Sequence, residues 1–73
     1  MSNQEQIDAG LSILDQYRGF SEHRQYIEPY ETGDYIFACN LHPVDMHIDD
    51  IEHLTELDWH WDEDVWMWKH ELP

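Results

Sequence analysis

Basic residues are the scarcest feature of this chain. Arg18, Arg24 and Lys69 stand against 17 Asp and Glu, which gives a formal net charge of −14 in 73 residues. Binding phosphate needs Lys and Arg, so direct contact with DNA or RNA is excluded as a primary role. An anionic membrane surface would repel the chain for the same reason. No apolar run approaches the roughly 20 residues of a membrane span. The opening MSNQEQID has neither a basic n-region nor an apolar h-region, so it does not read as a signal peptide. Cysteine is limited to Cys39, which rules out an internal disulfide and suits a reducing, cytoplasmic setting. A lone Cys with no motif reads as a small buried hydrophobe. Glycine and proline are three each, too few for low complexity or a linker.

What is present argues for folding. Apolar residues make up 41% of the chain, with four Trp, four Tyr and two Phe. A chain this short buries only about 60% of its unfolded surface, so large side chains must supply the core. The expectation is one small acidic domain over residues 1–73.

Ser2-Asn3-Gln4-Glu5 has the form of a capping box. Ile7, Leu11, Leu14 and Tyr17 or Arg18 follow at helical spacing, with Ile13 at the edge of the stripe, which predicts a helix over about 3–18. Gly19 stands where a helix-ending glycine belongs, and Gly10 suggests a close packing contact. Tyr26-Ile27-Glu28 suits a short strand before the turn residues of Pro29–Gly33. Residues 34–40, DYIFACN, are apolar on both faces, as in a central strand. After His42-Pro43, the residues Ile48, Ile51, Leu54 and Leu57 form the apolar stripe of a second helix over about 47–57, capped by Asp45 or His47. The terminal DWHWDEDVWMWKH alternates on both sides of Asp62-Glu63-Asp64, a hairpin pattern. A two- or four-residue loop sets Trp61 against Trp66 and Trp59 against Trp68. A three-residue loop would split the tryptophans between faces. The order α-β-β-α-β-β implies an α+β fold, a small antiparallel sheet packed with two helices.

Residues 45–64 hold nine carboxylates and no Lys or Arg. Such self-repulsion opposes compaction while favouring solubility and a monomer or small homo-oligomer. A strongly basic partner would offset it. Glu52 and Glu56 are one helical turn apart, about 6 Å along the axis. With Asp49 they share a helix face, and Asp58, Asp62, Glu63 and Asp64 follow at the helix end and the hairpin tip. Asp45 is a weaker member. Duplex phosphates also form closely spaced negative rows, about one per 1.7 Å of axis. These carboxylates are therefore the candidate partner-binding set, and the partner would be a basic nucleic-acid-binding protein or complex. An ordinary solvated acidic face is the bland alternative. High-salt adaptation fits poorly, because the chain is rich in Trp, Tyr, His and Ile and poor in Ala and Gly.

The six histidines match no zinc motif. Asp49 with His53, and His60 with Asp62, are the nearest approaches to a ligand pair, and neither predicts a metal. Carboxylate neighbours favour protonated His, so partner affinity would weaken near pH 6 on this reading. With no phosphate loop or nucleophile elbow, the expectation is a non-enzyme without cofactors.

The stretch from Tyr35 to Trp68 resembles a loose pattern of short phage and bacterial proteins. It joins a strand, an acidic helix with a Leu54-x-x-Leu57 step, a Trp, an acidic turn and a closing aromatic strand. Asp58 replaces the glycine usual before the first Trp. In size and charge the chain is similar to phage-encoded DNA-mimic inhibitors of the anti-CRISPR and anti-restriction type. That resemblance implies a host-defence or nucleic-acid enzyme as target, in the host cytoplasm, blocked at its DNA or RNA site. The competing expectation is an adaptor module that binds a host protein through its aromatic hairpin, anchored by Trp66 or Trp68, with acidity serving solubility alone.

Overall fold

The computed structural model describes residues 2–19 and 27–73. Ser2 caps the first helix, α1 (Asn3–Asp15), its hydroxyl accepting the Glu5 N–H at 3.2 Å. α1 buries Ile7, Gly10, Ile13 and Leu14, while Leu11 is only half-buried. The buried stripe is thus rotated from the expected one, toward Gly10 and Ile13. Trp59 is the cause. A Cβ at Gly10 would lie 1.9 Å from Trp59 Nε1, so the indole occupies the space that glycine leaves. That indole N–H donates to the Gln6 carbonyl at 3.1 Å, locking the ring across the helix. α1 ends a turn earlier than expected, and residues 16–19 form a turn. Gly19 does not end it in the left-handed region, since no described glycine has positive φ.

Strand β1 is Tyr30–Glu31 and β2 is Tyr35–Ala38. Ile27 and Glu28 lie outside the strand expected for them, and Tyr26 lies outside the described residues. Pro29 has no N–H to give a ladder, so pairing begins after it. The turn is confined to Thr32–Asp34, where the Thr32 N–H donates to the Tyr35 carbonyl at 2.8 Å. β3 (His60–Asp62) and β4 (Met67–Glu71) complete a four-stranded antiparallel sheet in the order β1-β2-β4-β3. β2 is internal and buried on both faces, as its sequence implied. The fold is the expected small α+β domain, with element order α-β-β-α-β-β and a short 3-10 turn, η1 (Pro43–Asp45), before the second helix, α2 (Ile48–Glu56).

One sheet face carries Ile36, Ala38 and Trp68. These pack with Ile7, Ile13, Leu14 and Tyr17 of the α1 region, and with Leu54, Leu57 and Trp59, into a single core. Cys39 joins this core instead of following the strand alternation, because its φ of 59° turns the chain out of the strand. It is fully buried, and burial pushes its thiol pKa up. The other face places Tyr30, Phe37 and Lys69 in one cross-strand row. Tyr30 stacks on Phe37 at 5.5 Å, and Lys69 Nζ lies 4.7 Å from the centroid of the Tyr35 ring.

The end of α2 is a Schellman motif. The Trp59 N–H donates to the Leu54 carbonyl and the Asp58 N–H to that of Thr55. The residue between, Asp58, has φ 64°, the conformation for which glycine is preferred.

Candidate functional site

The candidate carboxylates divide by what holds them. His47 caps α2, its Nδ1 accepting the Asp49 N–H at 3.2 Å. On the helix so fixed, Asp49, Glu52 and Glu56 are all exposed. At about 100° per residue they share one outward face, opposite Leu54 and Leu57. Asp50 is turned inward instead. The Tyr17 hydroxyl donates to its carboxylate and accepts the His47 N–H at 3.1 Å, pinning the start of α2 to the end of the α1 region. Burial, then the bond to Asp50, raises the Tyr17 pKa. Ile48 is not part of the core stripe; it is 60% exposed at the first turn.

Asp62 belongs with the internal residues. Its Oδ2 accepts from Lys69 Nζ at 3.1 Å, and its Oδ1 accepts the N–H groups of Asp64 at 2.9 Å and Val65 at 3.3 Å. The Lys69 ammonium holds the Asp62 carboxyl below its ordinary pKa, the turn N–H groups add to this, and Lys69 is raised in return. Asp62 is thus a neutralised turn residue, not an open anionic point. Glu63 and Asp64, beyond it, are exposed.

The Asp62 turn also sets the hairpin register. Trp61 pairs with Trp68, and the loop is Glu63-Asp64-Val65-Trp66. The expected pairing of Trp61 with Trp66 is therefore displaced by two residues. An even displacement keeps side chains on their face. Trp61 accordingly meets both Trp66 at 5.5 Å and Trp68 at 5.9 Å, while Trp59 meets His70 at 5.6 Å. Trp68 is buried at 3% exposed and is no candidate for an external anchor; Trp66, 37% exposed, is one.

His42 joins the tip to the rest of the molecule, a role that nothing in the sequence signalled beyond a break before Pro43. Its ring lies 5.2 Å from that of Trp61 and 5.0 Å from that of Trp66. Its Nδ1 accepts the Val44 N–H at 3.0 Å, and its Nε2 lies 3.4 Å from a Glu63 oxygen. The tip carboxylates therefore adjoin η1, which carries exposed Asp45 and leads within three residues to the start of α2.

The described basic side chains are engaged within the fold. Arg18 bonds Glu28 and Asp15, which together raise its pKa, and Lys69 bonds Asp62. Arg24 and His23 lie outside the described residues. No three His, Cys, Asp or Glu among the described residues converge as a metal site. A depression of about 320 Å³ at the open end of the β3–β4 pair is lined by Asn3, Asp58, His60, His70 and Glu71 among others. His70 is buried there, its Nδ1–H donating to the Glu71 carbonyl at 2.6 Å. Its Nε2, with Nε1 of Trp61 and of Trp68, has no hydrogen-bond partner among the described residues. No described helix is long and apolar enough to cross a membrane.

No family model matches the chain, and neither curated proteins nor solved structures include a match to it.

Proposed function

We propose that the protein is a non-catalytic inhibitor that imitates nucleic acid. It would occupy the basic DNA- or RNA-binding cleft of a host-defence or nucleic-acid-processing complex in the cytoplasm, in the manner of a phage anti-CRISPR or anti-restriction protein. The observation that carries this reading is the arrangement of the exposed carboxylates. Asp49, Glu52 and Glu56 are held on one face of a capped helix. Glu63 and Asp64 are fixed at a tip that His42 ties to the approach to that helix. The described basic side chains, Arg18 and Lys69, are engaged with other carboxylates. Fixed charge of one sign costs no reorganisation when a basic cleft closes on it, and it speeds association by steering. The mechanism is competition for the cleft, without turnover.

The test is a capture of partners from host lysate, followed by affinity measured at several salt concentrations with DNA and RNA as competitors. The expected result is affinity that falls steeply as the Debye length shrinks from about 30 Å at 0.01 M to about 8 Å at 0.15 M. A triple variant, Glu52→Lys with Glu56→Lys and Glu63→Lys, should lose binding while keeping its fold. Binding that ignores salt, nucleic acid and this variant would refute mimicry. That outcome belongs to the second reading, an adaptor that uses its aromatic hairpin, which the exposure of Trp66 and Val65 favours.

A further inference from the structure

The tip carries an exposed apolar cluster in the middle of the acidic surface. Val65 is 43% exposed, Trp66 37% and Val44 79%. His42 brings them to one end, its ring against Trp66 and its Nδ1 on the Val44 N–H. Trp66 also holds a φ of 62°, which is uncommon for a bulky residue, and Trp61 and His42 fix its ring. Its indole is thus held in place by its neighbours while 37% of the residue stays exposed to water. Glu63 and Asp64 flank it on the loop and Asp45 adjoins Val44, all three exposed.

We infer that this end is a docking knob for a protein whose matching site is an apolar or aromatic pocket rimmed by Lys and Arg. This rests on the reading of the partner as basic and adds what it must contain. A flat ring between fixed anions has the layout of an unstacked base beside its phosphates. Sites that take single-stranded nucleic acid combine a basic groove with aromatic stacking platforms. The partner site is therefore of the kind that accepts a splayed base, and a smooth duplex groove would leave the indole without a pocket. A second copy of the chain is disfavoured as occupant by the charge of −14 that each would bring.

Two synthetic peptides of equal length and charge test this with the intact chain, one alternating Lys with Ser and the other Lys with Tyr. The expected result is that both bind in low salt and that the Lys/Tyr peptide binds at least tenfold more tightly. Trp66→Gly, which relieves the positive φ and so keeps the tip folded, should reduce that preference to less than twofold while leaving Lys/Ser binding unchanged. Val44→Ser, at a residue too exposed to matter for folding, should reduce the preference severalfold. Equal affinity of the two peptides, or a preference that survives in Trp66→Gly, would overturn the knob and leave the charge-based reading intact. Failure of both peptides to bind would overturn the charge-based reading and the knob with it. A concentration-dependent dimer that Trp66→Gly abolishes would assign the knob to a second copy and overturn the partner proposed here.

Discussion

Replacing Gly10 by Ala should destabilise the protein, against the usual expectation for a helix. In an exposed helix interior the change would gain roughly 0.5–1 kcal/mol, because glycine has more backbone freedom to lose. Here the new methyl would lie 1.9 Å from Trp59 Nε1 and 2.4 Å from its Cδ1, so the ring must move. Trp59 is 1% exposed, which leaves it no open direction. Overpacking of this kind costs about 1–3 kcal/mol. Displacing the ring also breaks the bond from its N–H to the Gln6 carbonyl, and a buried donor left unpaired costs about 1–3 kcal/mol more. The net expectation is a loss of about 1–5 kcal/mol. Small domains hold about 0.05–0.15 kcal/mol per residue in total, so this is a large share of the stability of a chain this size. Urea unfolding followed by tryptophan fluorescence measures it directly. A double-mutant cycle with Trp59→Leu isolates the contact: in that background Gly10→Ala should become neutral or mildly stabilising. Gly10→Ala that is as stable as the parent would refute the interlocking of α1 and Trp59.

Asp58→Gly should raise stability by about 1 kcal/mol by relieving the left-handed conformation at the end of α2, measured as an upward shift of the urea midpoint. Asp62 has a folded-state pKa depressed below its ordinary value, first by Lys69 and then by the turn N–H groups. Its stabilisation is therefore present above the unfolded-state value and is lost as pH falls through the lower, folded-state one. Asp62→Asn should remove this acid limb, so that the urea midpoints of parent and variant converge below about pH 4; a constant gap between them down to pH 2 would refute the role. Glu52→Gln with Glu56→Gln should leave the fold as stable as before or slightly more so, because like charges one turn apart on a helix repel by roughly 0.2–0.5 kcal/mol; a marked fall in the thermal midpoint would show that these carboxylates have partners within the fold.

Most of the fold was legible because local chemistry and tertiary packing agree. The Ser2 cap, the Leu54–Leu57 step of α2 and the parity of the tryptophan hairpin appear where the sequence placed them, and the two-faced strand expected over 34–40 appears in shortened form as Tyr35–Ala38. Differences arise where a distant residue, or a side chain that organises its own turn, decides. The α1 face is rotated because Trp59 seeks Gly10, a contact 49 positions away in sequence. The hairpin is displaced by two residues because the Asp62 side chain organises the turn, and strand alternation is the same in either register. Within the candidate site, the helix carboxylates were readable from periodicity alone. The inward turn of Asp50 and Asp62 was not, since it depends on where Tyr17 and Lys69 fall in space. The link made by His42 was equally hidden, being a ring packed against two tryptophans of the distant hairpin.

The division among carboxylates bears on why the chain tolerates its charge. Asp50 and Asp62 face donors inside the fold, and Asp15 and Glu28 share Arg18. These contribute to the native state. Asp49, Glu52, Glu56, Glu63 and Asp64 are exposed, and among the described residues none of their side chains pairs with Lys or Arg; His47 approaches Asp49 and His42 approaches Glu63. Their mutual repulsion works against a small core with little stability to spare. Solubility alone would need far less than −14, since a net charge of magnitude about 2–8 suffices for a small domain. Under the proposed function, carboxylates that cost stability, exceed what solubility needs and sit on the capped helix and the hairpin tip are the ones that would meet the partner. Asp62, prominent in the acidic run of the sequence, is engaged by Lys69 and by the N–H groups of its own turn, so Glu63 is the tip residue at which charge reversal is informative.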